Sequence, residues 1–346
     1  MANRTTIFYL MILVGIASSG RAGGPETLKS GNWSMLLPLG LQASSAYLPE
    51  DNVMSDDKVA LGKLLYFDPR LSKDNTVACA SCHIPYHGFA DPHRTSAGVG
   101  GKLGGRNSPT VLNRLFSVEQ FWDGRAKDLE TQVKGPLTNP VEMTMSSHDA
   151  VVARVKAVKG YLPLFAKTFG DQQIDIDRIA KAIAAYERTI VTGNSASDRY
   201  QAGDKDALSP AAVRGLALFT GKANCQVCHA GFNFTDESYQ NIGVGMDKPK
   251  PDLGRYDQTH KDEDKGRFKT PTLRNIVQSA PYMHDGSEGT LSAVVEFYNQ
   301  GGVPNPNLSK EIKPLNLTVE EKRDLVAFLE ALTGEVQNIR PPDNLP

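Results

Sequence analysis

The pattern Cys-x-x-Cys-His occurs twice in this chain, as Cys79-Ala-Ser-Cys82-His83 and as Cys225-Gln-Val-Cys228-His229, and the two copies use all four cysteines. Several chemistries compete for such a pattern. Disulfides are the ordinary fate of cysteines in an exported chain. Zinc sites also use Cys-x-x-Cys, and a thioredoxin-like redox site needs a single pair. The histidine directly after each pair argues for covalent haem attachment. Two thiols form thioethers to the vinyl groups, and the adjacent imidazole becomes the proximal iron ligand. The pattern therefore predicts two haem c groups, one on Cys79, Cys82 and His83 and one on Cys225, Cys228 and His229.

The N-terminus sets the compartment. Arg4 precedes an almost entirely apolar run, Ile7–Ile16, and Gly20 and Ala22 stand at the −3 and −1 positions of a cleavage site. Such a run is too short to cross a hydrocarbon layer of ~30 Å as a helix. An uncleaved anchor is the alternative. Residues 1–22 are expected to be a signal peptide, the protein periplasmic, and the mature chain free of transmembrane segments. The net charge is −1, and loss of Arg4 and Arg21 with the signal leaves −3. No basic excess points to nucleic acid.

A length of 346 residues suits about two domains, and the motifs lie 146 residues apart. Before the first stands Lys58–Phe67, before the second Ala212–Phe219; both read as short amphipathic helices with a central glycine and a terminal aromatic. After each motif a second helix ends in Thr-Gly. The first is Ile176–Val191; the second, Val319–Leu332, is opened by a capping box from Thr318 to Glu321. The expected fold is mainly α, two cytochrome c-like haem domains with long loops, related by duplication. The N-terminal haem domain takes 51–200, the C-terminal one 201–346, and 23–50 form a leader. Gly193–Asp206 reads as the linker and Ile339–Pro346 as a surface-packed tail. No strand pattern of useful length is visible.

Five histidines remain after the two proximal ones. His260 lies in a charged loop and His148 at a helix start, both surface positions. His87 and His93 follow the first motif closely enough to be candidate sixth ligands.

The blocks Arg106–Asn113, Gln120-Phe-Trp-Asp-Gly-Arg125, Gln132, Gly135-Pro136-Leu137, Asn139-Pro-Val-Glu142-Met143, Lys269–Asn275 and Ala280–Gly286 resemble the bacterial dihaem cytochrome c peroxidase / MauG superfamily, from about Asp57 to Gly334. The resemblance implies a role for each matching residue. Trp122 passes electrons between the haems, and Gln132 is a distal amide. Glu142 is the distal acid–base group; such a group is needed because splitting peroxide on iron moves a proton from the inner to the outer oxygen. Asn107, Ser279 and Pro281 match an inter-domain calcium site, the last two through backbone carbonyls, and oxygen-only ligation suits calcium.

Two departures bear on function. The classical peroxidases carry a capping histidine sixteen residues after the first proximal one; here that position is Val99, so the N-terminal iron is expected to be open. Fourteen residues after His284, where they carry an axial methionine, stands Tyr298. A Tyr ligand there is the MauG arrangement; a helix-end tyrosine bonded to backbone is the plain alternative, and Met283 or Met246 could substitute. The expectation is an enzyme that reacts with hydrogen peroxide at the N-terminal haem and oxidises a partner protein. The alternatives are a cytochrome c peroxidase fed by a small cytochrome c or a cupredoxin, and a non-enzymatic dihaem electron carrier.

Overall fold

The structure, a computed structural model, describes residues 24–346. The expected signal segment lies outside the described residues. The first half carries α1 (Asp56–Tyr66), α2 (Cys79–Cys82), α3 (Leu129–Thr138), α4 (His148–Ala157), α5 (Tyr161–Phe169) and α6 (Ile176–Glu187). Then come α7 (Ala196–Ala202), α8 (Pro210–Thr220), α9 (Tyr256–Thr259), α10 (Leu291–Asn299) and α11 (Val319–Glu330). Sheet is confined to three antiparallel ribbons among the described residues. They are β1 (Thr27–Ser30) with β2 (Trp33–Leu36), β3 (Thr192–Gly193) with β6 (Glu335–Val336), and β4 (Tyr239–Gln240) with β5 (Phe268–Lys269). The fold is mainly helical, as expected.

Local chemistry sets where the helices begin. Ser55, Asp128, Ser147, Asp175, Ser209 and Thr290 each accept a bond from a backbone N–H of the first turn they precede. Thr318 and Glu321 form the reciprocal capping box that the sequence suggests.

Two helix pairs organise the molecule: α1 packs on α6 and α8 on α11. A glycine sits at each crossing. A Cβ on Gly62 would run into the carbonyl oxygen of Ala182, and one on Gly215 into that of Asp324. The backbones therefore meet more closely than any side chain allows. Around the first pair lies a core with Leu61, Leu65, Tyr66, Ile179, Ile183 and Tyr186; around the second lies one with Phe219, Leu325, Phe328 and Leu332. A third cluster joins the β1–β2 hairpin, through Leu28 and Trp33, to Phe116, Ala185 and Val191.

The segment expected to be a linker is instead a packed element. Ser195 and Asp198 make a capping box at α7. Asp198 is 3% exposed and meets the buried Arg274 guanidinium at 2.8 Å, which pins the connection to the second half. At the other end, Ile339 packs on the first core and Arg70 donates to the Pro346 carbonyl at 2.8 Å, so the tail does lie against the body.

Candidate active site

Each Cys-x-x-Cys-His motif forms part of the wall of a cavity. The first, about 410 Å³, takes in Cys79, Cys82 and His83; the second, about 220 Å³, takes in Cys225, Cys228 and His229. Both far exceed the ~30 Å³ share of one water. No disulfide joins any two of the four cysteines. Burial pushes Cys82 and Cys228 up to about 11 and Cys225 up to about 12.

The two imidazoles are held alike. His83 Nδ1 lies 3.3 Å from the carbonyl of Phe89, and His229 Nδ1 lies 3.0 Å from that of Phe234. Both phenylalanines have positive φ, 51° and 50°. Donation from Nδ1 leaves Nε2 as the ligating nitrogen, and burial lowers both rings, which keeps them neutral. Two thiols, a neutral oriented imidazole and a roomy cavity in each half fit a haem c.

Beyond the motif, the first cavity has a polar wall. Gln132 on α3 and Glu142 in the following loop both line it, among Phe121, Val133, Pro136 and Met143. Burial pushes the Glu142 carboxyl above its ordinary value, and Arg125 pulls it back. Asn139 Nδ2 donates to Glu142 Oε1 at 2.7 Å while its Oδ1 accepts from the Val141 N–H at 3.0 Å. Arg125 is itself fixed, 3.5 Å from the Phe121 ring centroid and 3.0 Å from Asp123. The sequence pattern assigns no role to Arg125. The signal for Asn139 is the Asn-Pro-Val-Glu spacing, an Asx turn that aims the carboxyl.

Val99 sits in a short turn whose N–H donates to the Glu142 carbonyl at 2.9 Å. Among the described residues, His83 is the only histidine lining this cavity. His87 is engaged with the Ala280 carbonyl at 2.8 Å, and His93 with Asp91 at 2.8 Å, its side chain 78% exposed. Neither reaches the cavity, so their candidacy as sixth ligands ends. Each is held by a polar partner elsewhere, Ala280 for His87 and Asp91 for His93, and closeness along the chain does not carry a ring to the other face. His260 is exposed, while His148 is partly buried against the Lys134 carbonyl.

The second cavity is also lined by Tyr298 of α10, together with Met283 and His284. Burial drives the phenol upward, with the two motif cysteines adding to it. Among the described residues the Tyr298 hydroxyl has no hydrogen-bond partner. A helix-end tyrosine tied to backbone is thus not what is found. Met246 does not line the cavity. His284 is stacked flat on Phe268 at 3.6 Å, and burial pushes it down to about 4.

Trp122 lines both cavities, as do Asn107 and Lys269. Its indole N–H donates to the Asn107 carbonyl at 2.8 Å, and its own carbonyl accepts from the Lys269 N–H at 2.8 Å. Asn107, Ser279 and Pro281 all line the second cavity.

A sequence profile of the di-haem cytochrome c peroxidases matches residues 56–206. The methylamine utilization protein MauG of Methylorubrum extorquens is 45% identical over 297 residues, 85% of this chain and 83% of that one. The chain belongs to the di-haem cytochrome c peroxidase family. Within it, the cytochrome c551 peroxidase of Nitrosomonas europaea is 40% identical over 88% of both chains. A MauG-like protein associated with microbial copper homeostasis superposes with a TM-score of 0.78 at 33% identity, covering 86% of this chain and 95% of that one. Membership makes the protein a peroxide-dependent haem oxidoreductase with two haem c groups, and the carrier alternative falls. No helix among the described residues is long and apolar enough to cross a membrane.

Proposed function

We propose that the protein is a periplasmic, MauG-like oxidase that reacts with hydrogen peroxide at its N-terminal haem and oxidises a partner protein. The observation that carries this reading is Tyr298, a half-buried tyrosine lining the second cavity with no polar partner of its own among the described residues. Bound haem supplies the redox chemistry, and the chain supplies everything that steers it. His83 and His229 would hold the two irons, and Tyr298 would supply an oxygen ligand to the second. Glu142 takes the proton from the inner peroxide oxygen and returns it to the outer one, with Gln132 orienting the substrate. Trp122, between the cavities, relays oxidising equivalents. As a phenolate, Tyr298 would favour oxidised iron and lower the potential of a haem held there, which would suit that site to storing an oxidising equivalent rather than accepting electrons from an ordinary donor.

The same reading takes the matched glycine crossings and the matched His–Phe bonds as traces of a duplicated haem domain, with boundaries near 51–200 and 201–346. It places calcium at Asn107, Ser279 and Pro281. Met283, in the same wall as Tyr298, favours the second reading: a cytochrome c peroxidase drawing electrons from a small cytochrome c or a cupredoxin.

The spectrum of the resting ferric protein tests the choice. The MauG-like reading expects one five-coordinate high-spin haem and one six-coordinate haem with oxygen ligation, and reaction with peroxide without prior reduction. Tyr298→Phe should keep peroxide binding and prevent sharing between the haems. A Met-ligated haem, with turnover only after reduction, would establish the peroxidase instead.

A further inference from the structure

Four cationic side chains line the first cavity: Arg106, Arg114, Arg125 and Lys269. Three are neutralised by the protein. Arg106 bonds Asp123 and Asp252, both at 2.7 Å. Arg125 is held by Asp123. Lys269 meets Glu237 at 2.9 Å and the Glu119 carbonyl.

Arg114 differs. It is 8% exposed, its guanidinium makes no hydrogen bond among the described residues, and its Nε is enclosed without a partner. No carboxylate among those residues lies within ion-pair distance of it. Glu237, which feels its charge, is committed to Lys269 and Ser117. Glu187 lines the same cavity, is 5% exposed, and leaves Oε2 equally unpartnered. Burial pushes Glu187 up to about 8, which favours its protonated form and weakens it as a counter-charge.

A buried guanidinium with no counter-charge is costly, and folds rarely keep one without an anion to meet it. A haem brings two carboxylates on its propionate arms, and a guanidinium fork suits a carboxylate. We propose that Arg114 is the anion anchor of the first cavity and binds a propionate of the haem attached through Cys79 and Cys82. Glu187, beside it, supplies a hydrogen-bonding carboxyl rather than a competing charge. The inference rests on the first cavity holding a haem and is independent of Tyr298 ligation, so either can fail alone.

The test is a spectroelectrochemical titration of the two-haem protein. A cation beside a propionate favours the reduced iron, so Arg114→Gln should lower one of the two haem potentials and leave the other in place, with both haems still attached by mass. Arg114→Lys, which keeps the charge, should recover part of the shift. A merely structural arginine would change the melting temperature and neither potential. Unmoved potentials in Arg114→Gln would overturn the proposal and leave an ordered water as the partner. Should that variant fail to take up haem, the propionate bending band in the resonance Raman spectrum of Arg114→Lys decides. A shifted band supports the anchor, and an unshifted band overturns it.

Discussion

The two halves are built on the same supports and lined differently. In each, two helices cross at a glycine, a Cys-x-x-Cys turn presents thiols to a cavity, and a histidine bonds a phenylalanine carbonyl turned by positive φ. The rest of the lining is not shared. Among the described residues the first cavity adds the half-buried carboxyl of Glu142 and the amide of Gln132, with no histidine besides His83; the second adds the phenol of Tyr298, with His284 and Met283. The scaffold thus offers the same attachment groups in either place, and the two walls differ in the side chains they add. Reactivity is assigned at the wall, and attachment at the motif.

The largest effect should come from the motifs themselves. Cys79→Ala/Cys82→Ala and Cys225→Ala/Cys228→Ala should each leave one haem by mass. Only the first should abolish the reaction with peroxide, and equal losses would erase the functional distinction between the halves. Next in size is Glu142→Gln, expected to keep both haems and slow the peroxide reaction ~10²-fold or more, the scale of a lost general acid–base group. The carboxylate in the lining of the second cavity, Glu311, is exposed, so no like effect is expected from it. A rate unchanged in that variant would assign the proton to water or to another group.

The pH dependence follows with its sign. The carboxylate is the form that accepts the proton, and burial holds this carboxyl above its ordinary value. Stopped-flow rates should therefore be full above that raised value and fall away as pH drops through it. Glu142→Gln should flatten this acid limb. A limb at the ordinary carboxylate value would mean that Arg125 outweighs burial.

Much of this was legible in the sequence because the chemistry is local there. Five consecutive residues define each attachment site, and the capping box at Thr318–Glu321 is equally self-contained. The family's blocks, which encode spacing, point to Trp122 and Glu142, and both line the first cavity. Contacts made across the chain were not legible. Asp198 reads as a solvated linker residue, yet it closes on Arg274, 76 residues away. The partners that withhold His87 and His93 are a distant carbonyl in one case and a neighbouring carboxylate in the other. Arg114 looks like any surface arginine until its burial is seen.

The smallest effect bears on the shared scaffold. In α1 and α8 the glycine faces a backbone carbonyl of the partner helix, which cannot swing aside as a side chain would. Alanine gains up to ~1 kcal/mol of helix propensity over glycine, but overpacking costs ~1–3 kcal/mol. Gly62→Ala and Gly215→Ala should each therefore lose on the order of 1 kcal/mol, read as a melting temperature lower by a few degrees in the haem-loaded protein. Gly135 in α3 supplies the contrast. Its nearest neighbour for a Cβ is the Phe121 ring at 3.6 Å, an ordinary contact, so Gly135→Ala should hold or gain stability. If Gly62→Ala melts earlier and Gly215→Ala does not, the second crossing is looser than the first. The two halves would then differ in their supports as well as in their walls.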